Sequence, residues 1–141
     1  MLGPATILLV DDDPTVRKVL SAFLGRCGFV VTAAASGETA LEAARSLSAP
    51  IAILISDVTM PGITGTELAR QLLPIYPDLK VLLMSATTPA PADMNPGWQF
   101  LAKPFAPDLL LAKIRQISGL EPAPHRAEQT YPNARNSGKT L

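Results

Sequence analysis

Five short apolar runs most constrain the fold of this chain. They occupy residues 7–10, 29–31, 51–55, 81–84 and 100–102, and none alternates polar with apolar. A half-buried strand alternates, whereas a strand covered on both faces is apolar throughout. Such strands belong to parallel sheets, which need a crossover between successive members. The intervening segments carry the helical period. Val16, Leu20, Phe23, Leu24 and Cys27 recur at spacings of three and four. Ala40, Leu41, Ala44 and Leu47 do the same after Ser36-Gly37-Glu38, followed by Leu68, Leu72 and Leu73, then Leu110, Ile114 and Ile117. This alternation predicts a doubly wound α/β domain over residues 4–118.

The remaining 119–141 hold Pro, Ala, Asn, Arg and Gln with little apolar content, which predicts a flexible tail. Composition narrows the function classes. Twelve Lys and Arg balance twelve Asp and Glu, which argues against a protein that binds nucleic acid directly or coats a membrane surface. No apolar run approaches a membrane span, and Met1-Leu2-Gly3-Pro4 does not read as a signal peptide. The one cysteine, Cys27, excludes an intramolecular disulfide and fits a reducing cytosol. A cytoplasmic location is therefore expected.

Ligands of an open parallel sheet bind outside the carboxyl ends of its strands. The first run there leads into Asp11-Asp12-Asp13, the third into Ser56-Asp57, the fourth into Ser85-Ala86 and the fifth into Lys103-Pro104. Clustered carboxylates repel one another unless a cation compensates. Mg²⁺ takes oxygen ligands and commonly uses one or two carboxylates plus waters and phosphate. Asp11, Asp12 and Asp57 offer those oxygens, Lys103 a fixed positive charge and Ser85 a hydroxyl donor. The set suits a phosphoryl group on a carboxylate nucleophile. Taken singly, each piece has an ordinary structural explanation; Asp13, for instance, reads as a helix N-cap ahead of Pro14.

Together these residues resemble the receiver domain of bacterial two-component response regulators. The resemblance rests on Ile7-Leu8-Leu9-Val10-Asp11-Asp12-Asp13-Pro14, on Asp57-Val58-Thr59-Met60-Pro61-Gly62 with Gly65, on Ser85-Ala86 and on Phe100-Leu101-Ala102-Lys103-Pro104-Phe105. It implies a flavodoxin-like fold with strand order 2-1-3-4-5, a topology for which a member of this family serves as a type example. It implies a stand-alone, chemotaxis-regulator-like receiver with Asp57 as phosphoacceptor, charged by a histidine kinase or a histidine phosphotransfer protein. It further implies Mg²⁺ bound by Asp12 directly, by Asp11 through water, by Asp57 and by the Thr59 backbone carbonyl. Lys103 would pair with a phosphate oxygen. Ser85 would be the switch hydroxyl and Phe100 the switch aromatic, and Thr59 and Thr87 would tune the lifetime of the phosphoryl group. The downstream partner is a protein that the sequence does not name, reached by contact or by passing the group onward.

Two other functions fit parts of the pattern. A degenerate receiver would bind partners without phosphorylation. A phosphohydrolase of the haloacid dehalogenase type would use Asp11 as nucleophile and Asp13 as acid/base within Asp11-Asp12-Asp13-Pro14-Thr15-Val16, but it leaves the Met-Pro-Gly piece unexplained. The chain also departs from the family between Ser85 and Lys103, where Pro89, Pro91 and Pro96 crowd a segment of 17 residues. Proline costs about 3 kcal/mol inside a helix. The helix that the family places between its fourth and fifth strands is therefore expected to be shortened or absent. Trp98, beside this gap, reads either as a core plug or as an exposed anchor for a partner.

Overall fold

The computed structural model describes residues 5–86, 92 and 94–118. The expected tail over 119–141 and Thr87 lie outside the described residues, as do positions 88–91 and 93. The elements run β1 (Thr6–Val10), α1 (Pro14–Arg26), β2 (Val30–Ala34), α2 (Gly37–Ser46), β3 (Ile53–Asp57), α3 (Gly65–Leu72), β4 (Lys80–Ser85), β5 (Gln99–Ala102) and α4 (Pro107–Ser118). All adjacent strands pair in parallel, in the order β2-β1-β3-β4-β5. This is the doubly wound, flavodoxin-like arrangement expected. Among the described residues no helix is long and apolar enough to cross a membrane.

The strands are apolar throughout because each feeds two cores. Ile7 and Leu9 of β1 join Ile53, Ile55, Leu82 and Met84 under α1 and α4, where Leu20, Leu24, Leu110 and Ile114 close the layer. Leu8 and Val10 turn the other way, with Leu54, Val81 and Leu83, onto Ala40 and Ala44 of α2 and Leu68 and Leu72 of α3. Strand β2 is the exception. It is an edge strand of mixed burial, so its apolar signature is short, and the strand extends through Thr32 and Ala33 to Ala34.

Local chemistry sets the helix starts. Asp13 caps α1 by accepting from Thr15 N at 2.8 Å, with Pro14 in the first turn. Ser36 accepts from Thr39 N at 3.0 Å at the start of α2, and Thr64 from Glu67 N at 3.1 Å at the start of α3.

Between β4 and β5 the described residues form turns and no helix. Trp98 is 8% exposed and packs into the core on the α2–α3 face, together with Val81 and Leu83, with Met94 and Phe100 partly buried against the same cluster. It is a core plug. An aromatic side chain buries on the order of 150–250 Å², enough for one residue to cover apolar strand surface that would otherwise meet water.

One close approach ties the fold to the phosphoacceptor candidate. A Cβ added at Gly65 would lie 2.2 Å from the Asp57 carbonyl oxygen. Gly65→Ala is therefore expected to destabilise the protein by about 1–3 kcal/mol. Gly25, in α1, has nothing within 4 Å of an added Cβ. Gly25→Ala is expected to stabilise by up to about 1 kcal/mol, the ordinary helical preference. Urea denaturation of the two variants checks the contrast, and equal effects would contradict it.

Candidate functional site

The strand order reverses between β1 and β3, so the crevice outside their carboxyl ends is the switch point of the sheet. Asp11 follows β1 directly, and Asp57 is the last residue of β3. Asp11 is fully buried. One of its carboxylate oxygens, Oδ1, accepts from Asp13 N at 2.9 Å, and the other, Oδ2, meets Lys103 Nζ at 2.6 Å. The same Nζ lies 3.4 Å from Asp57 Oδ2. Thr59 N donates to Asp57 Oδ1 at 3.3 Å. Asp12 is exposed at the mouth of the cluster, and ligand oxygens of Asp11, Asp12 and Asp57 all lie within 4.8 Å of one another.

The electrostatics follow from this crowding. Burial pushes the Asp57 carboxyl above the usual carboxylate range; the Lys103 charge opposes the shift, and neighbouring Asp11 adds to it. For Lys103, burial works to lower the pKa, but the hydrogen bond and charge of Asp11, with those of Asp57, outweigh it and hold the ammonium above its ordinary value. Three carboxylates face one lysine, so the cluster lacks positive charge. A hard, oxygen-seeking dication fits that deficit and donor set, and the acidic triad could bind a metal.

The other expected residues fall around this core. Lys103 follows β5, its backbone N donating to the Ser85 carbonyl at 2.8 Å, and the Lys103–Pro104 peptide is cis. Ser85 is buried at the end of β4, one residue beyond Met84, which pairs with Asp57. Thr59 is exposed in the loop after Asp57. Phe100 sits opposite Leu83 in β5 and is partly buried against the α2–α3 core. Asp13 is occupied as the α1 cap, and both Asp11 oxygens are engaged, whereas the Asp57 side chain is 13% exposed. Asp57 is thus the more accessible of the two carboxylates, its own oxygens engaged by Thr59 N and Lys103.

Two contacts were not foreseen from the residues alone. Arg17 Nη1 donates to the Asp11 carbonyl at 2.7 Å, pinning the turn that carries the acidic pair. Ser56 Oγ donates to the Asp57 carbonyl at 2.9 Å. Nothing in the local sequence distinguishes this arginine from any other on a helix surface.

The sequence pattern of the response regulator receiver domain matches residues 7–115. The chain belongs to that family. This receiver domain is 38% identical over 121 residues to the C4-dicarboxylate transport transcriptional regulatory protein DctD of Rhizobium meliloti, covering 82% of this chain and 26% of that protein. It spans half or less of the length of the first curated relatives it matches. The Vibrio cholerae chemotaxis protein CheY4 superposes with a TM-score of 0.73 at 30% identity, covering 82% of this chain and 99% of that one. The Thermotoga maritima response regulator TrrA, solved in complex with Mg²⁺-BeF, gives a TM-score of 0.69 at 30% identity, covering 80% and 98%.

The raised Asp57 pKa makes a signed prediction for the receiver without metal. A group whose folded pKa is raised contributes stability that is present below its unfolded pKa, about 3.9 for Asp. That contribution is lost as pH rises through the raised value. Asp57→Asn is therefore expected to melt higher than wild type at pH 7 in EDTA, with the gap narrowing as pH falls toward 4. Calorimetry across pH checks this, and a lower melting temperature for the variant at pH 7 would refute it.

Proposed function

We propose that this receiver accepts a phosphoryl group on Asp57 in a Mg²⁺-dependent reaction with a histidine kinase or histidine phosphotransfer protein. It then signals as a stand-alone unit, by protein contact or by passing the group onward. The observation that carries this reading is the convergence of Asp11, Asp12, Asp57 and Lys103 at the switch point of the sheet. The residues fit Mg²⁺, and TrrA, a similar structure, was solved with Mg²⁺-BeF. The functional unit would run from residue 4 to 118, with 119–141 as an appended tail.

In the proposed reaction an Asp57 carboxylate oxygen forms a bond to phosphorus as the donor's phosphorus–nitrogen bond breaks, and the histidine leaves. The phosphoryl oxygens carry concentrated negative charge, so positioning and charge neutralisation supply the catalysis. Lys103 Nζ, already 3.4 Å from Asp57, pairs with one of them. Asp12, Asp11, Asp57 and the Thr59 carbonyl would hold Mg²⁺, which neutralises the remaining charge when bound. Ser85 donates its hydroxyl to the phosphoryl group, and Phe100 answers through packing alone, because it has no hydroxyl. Thr59 and Thr87 would tune the lifetime of the phosphoryl group.

The test is mass spectrometry after incubation with acetyl phosphate and Mg²⁺. Wild type is expected to gain one phosphoryl group, lost in Asp57→Asn and in EDTA. Lys103→Ala is expected to label at least about a hundredfold more slowly. An unlabelled wild type would leave the degenerate receiver. Equal labelling of Asp57→Asn with loss in Asp11→Asn would favour the hydrolase.

We propose that the apolar groove beside Lys103 is the docking surface for the donor protein. Val16, Val19, Leu20, Pro104 and Phe105, with Thr15 and Lys103, line an apolar groove of about 280 Å³, and Val19 is 52% exposed. Val19→Asn is expected to slow transfer from a phosphorylated histidine protein about tenfold, the effect of a modest interface anchor. Labelling by acetyl phosphate, which needs no protein docking, should stay as in wild type. Equal slowing with both donors would remove the groove from the docking surface.

A further inference from the structure

The loop of residues 58–64 carries Thr59 and joins Asp57 to α3, so its position decides where the Thr59 carbonyl stands. Besides the Thr59 N bond to Asp57 and the Thr64 cap of α3, three hydrogen bonds anchor it. Val58 N donates to the Met84 carbonyl at 2.8 Å, and Gly65 N to the Val58 carbonyl at 2.9 Å. The third comes from a different element. Ile63 N donates to Glu38 Oε2 at 3.3 Å, across 25 residues. Glu38 stands in the first turn of α2, where a carboxylate is favoured by the helix dipole.

The contact is built in from both sides. Gly62 has φ +82°, and a Cβ there would lie 2.6 Å from Glu38 Oε2, so the carboxylate rests on the bare glycine backbone. A Cβ at Gly37 would lie 2.8 Å from Ile63 Cβ, so the start of α2 is pressed against the same loop. Ile63 in turn packs on the α2–α3 core. A charged acceptor makes a stronger hydrogen bond than a neutral one, and here it serves a loop amide next to a left-handed glycine.

We infer that Glu38 is a positioning residue of the phosphoacceptor site, clamping the 58–64 loop so that the Thr59 carbonyl is held ready for the metal. The inference rests on the phosphoacceptor reading above. Glu38 stands within α2, and its hydrogen bond goes to the Ile63 amide rather than to Asp57 or the acidic triad. It acts through the loop backbone. Groups that orient a metal's own ligands commonly cost about ten- to a hundredfold in affinity when removed.

Three variants separate this role from a general loss of stability: Glu38→Ala, Glu38→Gln and, on the exposed side of the same helix, Glu42→Ala. Amide hydrogen exchange of Ile63 in the metal-free protein reads the clamp directly, and a Mg²⁺ titration followed by amide NMR shifts reads its consequence. Glu38→Ala is expected to speed Ile63 exchange several-fold and to raise the Mg²⁺ midpoint about tenfold. Glu38→Gln keeps an acceptor oxygen of the same reach and should stay within about threefold of wild type. Glu42→Ala should match wild type in both. An unchanged Ile63 exchange rate or Mg²⁺ midpoint in Glu38→Ala overturns the clamp, as does a Gln variant as impaired as the Ala one. A wild type that neither responds to Mg²⁺ nor labels with acetyl phosphate overturns the phosphoacceptor reading itself, and the positioning role with it.

Discussion

The Asp11–Lys103 ion pair is the constraint on which the site depends. A carboxylate with no solvent exposure is tolerable only if paired and hydrogen-bonded. Asp11 obtains both, from Lys103 at 2.6 Å and from Asp13 N. The partners lie 92 residues apart, so the pair forms only when β1 and β5 have taken their places with β3 and β4 between them. Removing Lys103 would leave the fully buried Asp11 uncompensated, a loss of about 3–5 kcal/mol. The same lysine reaches Asp57, so the group that makes Asp11 bearable also supplies the positive charge beside the proposed nucleophile. Folding and chemistry therefore draw on one ammonium group.

That sharing explains why the cluster is held by backbone as much as by side chains. Val58 N to the Met84 carbonyl, Lys103 N to the Ser85 carbonyl and Asp11 N to the Ala34 carbonyl each tie a site segment to a neighbouring strand end. Arg17 and Ser56 add side-chain donors to the carbonyls of Asp11 and Asp57. Carboxylates that repel one another would otherwise move the turns carrying them. Here those bonds fix the turns, and the Asp57 carboxyl is raised mainly by burial, with the Asp11 charge adding to the shift and Lys103 opposing it. A site built this way is short of positive charge when empty of metal, a condition under which a dication or a phosphoryl-neutralising lysine has the most to contribute.

Much of this could be read from residue types. The non-alternating runs at 7–10, 51–55 and 81–84 mark central strands because burial on both faces leaves no polar position, and these became β1, β3 and β4. The run at 29–31 understated β2, since an edge strand exposes one side and tolerates Thr32 and Ala33. The acidic, serine and lysine positions followed from strand ends alone, because a parallel sheet sends all its carboxyl ends to one edge. Arg17 and Glu38 were not legible. Their partners are backbone groups, the Asp11 carbonyl and the Ile63 amide, which have no residue identity for a pattern to reveal.

The segment between β4 and β5 shows the same division between chemistry and surface. Its prolines oppose a helix, and the described residues there form turns, yet the sheet face they should cover does not open to water. Trp98 fills it, held by a turn in which Trp98 N donates to the Asn95 carbonyl at 2.9 Å and Gly97 N to Asn95 Oδ1 at 3.1 Å. A single indole can replace the buried stripe of a helix but not its solvent-facing side, because its polar surface is one N–H. The core on this face is closed by Trp98, and the described residues beside β5 are turn and strand edge.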